Sequence, residues 1–210
     1  MPSSSPVSPA RSAGNSRPEI IIDGADHRTA LEQALNRARE QVIIHSTFVS
    51  ERAIPGALPL LVGAAAKGTT VHILWGQDDE KTSVSSSRRA AIALQEAIRD
   101  AARSEQVVVH PFTTRSHAKL LISDDGRGQW SAIVGSCNWL SSEFDSFETS
   151  IRVRDPVLVG QLIRHVAALS LGPPGVWNDL AKESDRSGKA RRSGAAREWP
   201  HRQNANSSLS

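Results

Sequence analysis

Apolar positions along this chain follow two rhythms. Short runs rich in Ile, Val and Leu, bounded by polar residues, Gly or Pro, predict strands at 19–22, 41–47, 71–75, 106–110, 119–123, 131–134 and 147–153. Between the earlier runs, apolar residues recur at helical spacing. One predicted helix starts at Asp26 as N-cap and buries Leu31, Ala34 and Leu35. A second covers 53–67 and is closed by Gly68, and a third covers 87–104. The last spans 155–171 with Pro156 in its first turn, where the missing N–H costs nothing. Residues 76–86 are polar and loop-like, and Asp125-Gly126-Arg127-Gly128 is a turn between two strands.

Strands that first alternate with helices and then pair locally predict an α/β fold, a mixed β-sheet sandwiched between helices. The rhythm covers only part of the chain. Residues 1–18 are rich in Ser, Pro and Arg and predict a disordered segment. After Leu180 the periodicity stops, and Arg, Ser, Gly and Ala dominate to Ser210. The expected organisation is therefore a domain over 19–180 followed by a basic low-complexity tail over 181–210.

Charge sharpens that division. The pI is near 9.5, yet residues 181–210 hold seven Lys and Arg against three acids, while Arg11 and Arg17 stand without acids before residue 19. The 19–180 core is left with 16 bases and 19 acids, a net of −3. Basic tails can hold a phosphate backbone, and such ends are also commonly just solvated. Cys137 is the single cysteine, which excludes an internal disulfide and a zinc cluster, and its expected role is packing. No apolar stretch approaches the roughly 20 residues needed to span a bilayer, and Met1-Pro2-Ser3-Ser4-Ser5-Pro6 lacks the apolar core of a secretory signal. The expectation is a cytoplasmic protein with no integral membrane association.

One run changes the picture from fold to chemistry. His117-Ala118-Lys119-Leu120-Leu121-Ile122-Ser123-Asp124 spells H-x-K-x-x-x-x-D, and Gly135-Ser136-Cys137-Asn138 spells G-S-x-N. Chance agreement at six such positions is on the order of one in 10^7 per starting point. On an extended strand His117 and Lys119 share one face, while Ala118, Leu120 and Ile122 point into a core. Ser136 and Asn138 can share a face in the same way. An imidazole, an ammonium, a hydroxyl and an amide directed at one polar pocket suit a phosphodiester.

This pair of motifs resembles the HKD signature of the phospholipase D superfamily, which includes phospholipases, metal-independent endonucleases, phosphatidyl transferases and DNA-repair phosphodiesterases. Residues 41–48 and the helix-to-strand passage 64–74 are similar to the early part of one family module, so the resemblance spans roughly 19–180. It implies that His117 is a nucleophile forming a phosphohistidine, that Lys119 neutralises charge on the phosphoryl oxygens, and that Asp124, within the same catalytic motif, ties down neighbouring backbone. It also implies that Ser136 and Asn138 bind and orient phosphate, while Gly135 admits close backbone approach. In the nuclease branch an acidic residue about ten positions past the Asn hydrogen-bonds the catalytic histidine. Glu148 fits, with Glu143 and Asp145 as neighbours that compete for the role.

Each site residue has a plainer reading. A lone histidine is usually structural, a strand lysine usually solvated, and G-S-x-N alone is a common turn. The spacing is what lifts them above it. His45, on a β-rich strand, is expected at the core edge, and His110, before Pro111, at the cleft entrance. Trp130 and Trp139 are packing residues or the rim of a groove.

The family's usual enzyme carries two signatures. Here His27, His45, His72, His110, His165 and His201 all lack a Lys two residues later, so the chain carries one half-site. Phosphoryl transfer through histidine needs a nucleophile and a general acid. A homodimer, or a partner chain with a second half-site, supplies both. No cofactor and no metal is expected. The leading expectation is a homodimeric, metal-independent phosphodiesterase acting on nucleic acid. Its alternatives are a phospholipase acting on lipid head groups and a non-catalytic module serving dimerisation or nucleic-acid binding in a larger system. The lean toward nucleic acid comes from the single module, the basic tails and the lack of a lipid-facing stripe.

Overall fold

The structure, a computed structural model, describes residues 17–76, 86–141 and 143–170. Within them seven strands form one mixed sheet: β1 (Glu19–Ile22), β2 (Gln41–Ser46), β3 (Thr70–Trp75), β4 (Val107–Val109), β5 (Leu120–Asp124), β6 (Trp130–Gly135) and β7 (Thr149–Val153). Their order is β1-β7-β6-β5-β2-β3-β4. The pairs β2–β3 and β3–β4 are parallel, as strands joined by helices must be, and the remaining pairs are antiparallel.

Helices α1 (Gly24–Arg37), α2 (Ile54–Ala66) and α3 (Ser86–Asp100) cover one face of the sheet, and α4 (Pro156–Ser170) covers part of the other. The first face buries Leu31, Leu35, Leu61, Leu94 and Ile98 against Val42, Ile44, Val71, Ile73 and Leu121. On the second, Val159 and Val166 of α4 pack with Ile43, Leu74, Leu120 and Ile122. Strands β2 and β5 are thus covered on both faces, which is why their apolar runs are continuous instead of alternating. One row of cross-strand partners matters below: Ile20, Ile151, Val134, Leu120, His45 and Leu74 follow one another across β1, β7, β6, β5, β2 and β3.

The α/β fold and its mixed sheet are as the sequence predicts, and the differences lie at element ends. The N-cap of α1 is Asp23, not Asp26; its φ is 81° and its side chain makes no capping bond. Asp26 falls in the first turn instead, where a carboxylate suits the positive end of the helix. Helix α3 ends at Asp100 because Ala102 turns into the left-handed region at φ 53°. Gly68 closes the turn after α2 at φ 83°, as its residue type predicts. Asp155 caps α4, its Oδ1 accepting from the amides of Val157 and Leu158. Strands β5 and β7 begin at Leu120 and Thr149, so the positions before them are not strand. The expected disordered segment (but for residues 17 and 18), most of the 76–86 loop, the boundary near 180 and the basic tail lie outside the described residues.

Candidate active site

His117, Ala118 and Lys119 stand in an irregular segment, 113–119, that leads into β5. This corrects the expectation that strand geometry alone aligns His117 with Lys119. Backbone bonds hold the segment near its ends, the Thr114 amide on the Trp75 carbonyl and the Lys119 carbonyl on the Gly135 amide, and between them hydrogen bonds from the end of β2 shape it. Thr47 donates its hydroxyl to the His117 carbonyl at 3.0 Å. His45 reaches the Ala118 carbonyl with Nδ1 at 2.6 Å and the Thr114 hydroxyl with Nε2 at 2.8 Å. The Ala118 amide donates to Ser116 Oγ at 3.1 Å. Gly76 permits the close packing beneath: a Cβ there would lie 1.8 Å from the Ser116 carbonyl oxygen.

The His117 side chain is exposed, its ring 6.1 Å from that of Phe48 in an edge-on arrangement. Lys119 is half-buried, and its Nζ donates to the His117 carbonyl at 3.2 Å. Next to them lies the turn leaving β6. Its glycine is obligatory, because a Cβ on Gly135 would sit 2.3 Å from the Thr149 carbonyl oxygen and 2.5 Å from Ser150 Cα. Cys137 points inward and is fully buried, while Ser136 is exposed and Asn138 half-exposed, so 136 and 138 share an outer side. The Cys137 thiol is pushed up to about 12, chiefly by burial and then by the Glu148 carboxylate, with Lys119 opposing. One sulfur therefore feels both Lys119 and Glu148, which brings the two motifs and β7 together electrostatically. Asn138 Oδ1 is buried without a hydrogen-bond partner among the described residues.

Two expected roles take a different form. The contact between Glu148 and the His117 ring is not made within the chain. The Glu148 carboxylate instead accepts the Ser136 hydroxyl, whose oxygen also accepts the Thr149 amide at 3.0 Å. Ser136 is thereby engaged in joining β6 to β7, because both motif ends must be pinned where strand pairing begins. Glu148 is held in turn by its backbone, whose carbonyl accepts the Asp23 amide at 2.9 Å.

Asp124 stands apart from the other motif residues. It lies at the far end of β5, roughly 15 Å from the His117 end. Its buried carboxylate accepts the amides of Arg39 at 3.0 Å, Glu40 at 2.9 Å, Gln41 at 3.0 Å and Gly126 at 2.7 Å. It fixes the start of β2 and the β5–β6 turn, and no hydrogen bond links it to His117. Trp139 is buried against His27, and Trp130 pairs with Asp124, so both tryptophans are packing residues away from His117. His110 packs its ring on His72 at the β3–β4 edge.

His45 is the residue whose part the sequence reading missed. It is fully buried, at the centre of the sheet and not the core edge. The available signal was a single polar side chain in the apolar run Val42-Ile43-Ile44-His45, since a buried polar group requires partners. Burial, followed by the Lys119 and His165 charges, lowers its pKa despite the Ala118 hydrogen bond.

A family model described as "Cardiolipin synthase, PLD-like domain" matches residues 31–169. No curated protein matches the chain. Among solved structures, Nuc from Salmonella typhimurium, a phospholipase D family member, is 18% identical with a TM-score of 0.50, covering 78% of this chain and 93% of that one. The phosphatidylserine synthase of Haemophilus influenzae Rd KW20 is 11% identical with a TM-score of 0.53, over 81% of this chain and 43% of its own. NucT from Helicobacter pylori is 14% identical with a TM-score of 0.48, over 71% and 92%. At such identities the likeness is one of fold.

Proposed function

Because the chain belongs to the phospholipase D-like domain family, we propose that it is a phosphodiesterase whose nucleophile is His117. The observation that carries this reading is an exposed imidazole on a firmly bonded backbone, with Lys119 bonded to the same carbonyl. His117 attacks phosphorus, a P–N bond forms, and the P–O bond to the leaving group breaks. A general acid protonates the leaving oxygen. The same group then deprotonates water, which attacks phosphorus and releases the imidazole. Lys119 stabilises the charge that builds on the non-bridging oxygens, so the reaction proceeds without a metal ion.

One chain supplies one such imidazole, and we assign the general acid to His117 of a second copy. Two features support a homodimer. His117 is exposed, and its chain supplies one such imidazole where the chemistry needs two. The sheet row that runs toward it is covered by α4 only at one end: Val134, Ile151 and Ile20 are 38%, 47% and 65% exposed. A bare apolar face continuous with an incomplete site suits a two-fold partner.

Nucleic acid is the proposed substrate. The basic segments flanking an acidic-leaning core support it, and among the described residues no helix is long and apolar enough to cross a membrane. A lipid reading has one observation in its favour, the cardiolipin synthase description of the matching family model. The test is an assay on DNA, RNA and phosphatidylcholine in excess EDTA, with His117→Ala as control. Turnover of a nucleic acid that His117→Ala abolishes is expected. Turnover of lipid alone would transfer the reading to head-group chemistry. Activity in the folded His117→Ala variant, or strict dependence on added metal, would overturn the mechanism.

A further inference from the structure

We propose that His45 is a positioning residue, a buried imidazole at the end of β2 that clasps the active segment on both sides of His117 and so sets where the His117 ring stands. The inference rests on the reading of His117 as nucleophile.

The bonding pattern defines the tautomer. The Ala118 carbonyl can only accept, so His45 Nδ1 carries the proton and donates at 2.6 Å. The neutral ring then accepts at Nε2, where the Thr114 hydroxyl donates at 2.8 Å in preference to the Trp75 carbonyl 3.2 Å away. One side chain thus links residue 114, upstream of the nucleophile, to residue 118, just after it. Neighbouring residues extend the clasp. Thr47 donates to the His117 carbonyl, and Ser46 Oγ accepts the Leu140 amide at 3.3 Å while donating to the Phe48 carbonyl at 2.6 Å. The three residues 45–47 therefore tie the His117 segment, the loop after G-S-x-N and the Phe48 backbone to one strand end.

The environment keeps the His45 ring neutral. It is fully buried, and burial lowers its pKa, with the Ala118 hydrogen bond opposing and the neighbourhood of His165 and Lys119 adding to the lowering. A neutral ring can hold one donor and one acceptor bond at once, which is what the clasp uses. Strand-like pairing at 113–119 is reduced to the Thr114 amide on the Trp75 carbonyl at 2.9 Å and the Gly135 amide on the Lys119 carbonyl at 3.4 Å, so between those two points these bonds do the placing that a β-ladder does elsewhere in the sheet.

The test compares wild type, Thr114→Val, Thr114→Ser, His45→Asn and His45→Leu. A small phosphodiester, bis(p-nitrophenyl) phosphate, is turned over in EDTA while the His117 ring resonances are followed by NMR. Thr114→Val removes one arm and leaves the ring in place. It also removes the hydroxyl's contacts with the Trp75 carbonyl and the Ser116 amide, so Thr114→Ser, which keeps all three contacts, is the control and should behave as wild type. Thr114→Val is expected to lower kcat about 10-fold with KM within about twofold, and to shift the His117 resonances. His45→Leu removes both arms and is expected to lower kcat about 100-fold, the scale of a misplaced reacting group. His45→Asn restores a donor to Ala118 and should recover part of that loss. A Thr114→Val protein with wild-type kcat and unmoved His117 resonances would overturn the proposal, whether or not the His45 variants fold. If wild type turns over no phosphodiester but the resonances still move, the positioning stands and the catalytic reading falls. If activity depends on His117 yet ignores every variant, the positioning falls alone.

Discussion

Asp124 shows how one carboxylate can belong to a catalytic signature without touching the chemistry. Its oxygens collect the amides of Arg39, Glu40, Gln41 and Gly126, four donors at the start of β2 and in the β5–β6 turn. Hydrogen bonds to a charged group contribute about 1.5–3 kcal/mol each at most, and their removal leaves several amides to find water. Asp124→Ala should therefore lower unfolding free energy by about 2–4 kcal/mol in a urea titration. The molecules that remain folded should keep wild-type kcat, because no bond connects Asp124 to His117. A variant of unchanged stability but abolished turnover would return Asp124 to the catalytic group. Cys137 is the residue-scale counterpart on the other motif: buried and raised to about 12, its thiol is a packing group, as its position inside G-S-x-N suggested.

At the scale of elements, the junction of β6 with β7 decides whether the second motif stands in place. Gly135 lets the Thr149–Ser150 backbone come within a distance no Cβ tolerates. Gly135→Ala must push β7 away, weakening the Ser136–Thr149 bonds and displacing Glu148 with them. The expected cost is about 1–3 kcal/mol of stability with a loss of turnover beyond what unfolding explains. Circular dichroism melts alongside kcat check it, and a variant as stable and active as wild type would show that the strands yield freely. Strands were legible from sequence because their aliphatic runs are buried on one or both faces, as Val42-Ile43-Ile44 and Leu120-Leu121-Ile122 are. The segment 113–119 was not, because its bonds come from His45 and Thr47, about 70 positions away, and no local pattern encodes a partner at that separation. The same limit hid the Ser136–Glu148 pair, although the spacing brought Glu148 to the right neighbourhood.

For the whole molecule the question is how one half-site becomes a site. The uncovered row Ile20, Ile151 and Val134 and the exposed His117 are what support the proposed second copy. If the active unit is a shared dimer, excess folded His117→Ala mixed into wild type should poison activity, since each mixed dimer has one imidazole. Dilution through the dissociation constant should lower specific activity more than linearly. Full specific activity in a monomer identified by light scattering would contradict the shared site.

The central claim is that His117 becomes bonded to phosphorus. A single turnover of a labelled phosphodiester in EDTA, quenched in alkali because a P–N bond is acid-labile, followed by peptide mass spectrometry, tests it most directly. The label should appear on the peptide carrying His117, rise and decay with turnover, and be absent from His117→Ala. Turnover with no labelled peptide, or with the label on another residue, would contradict the account.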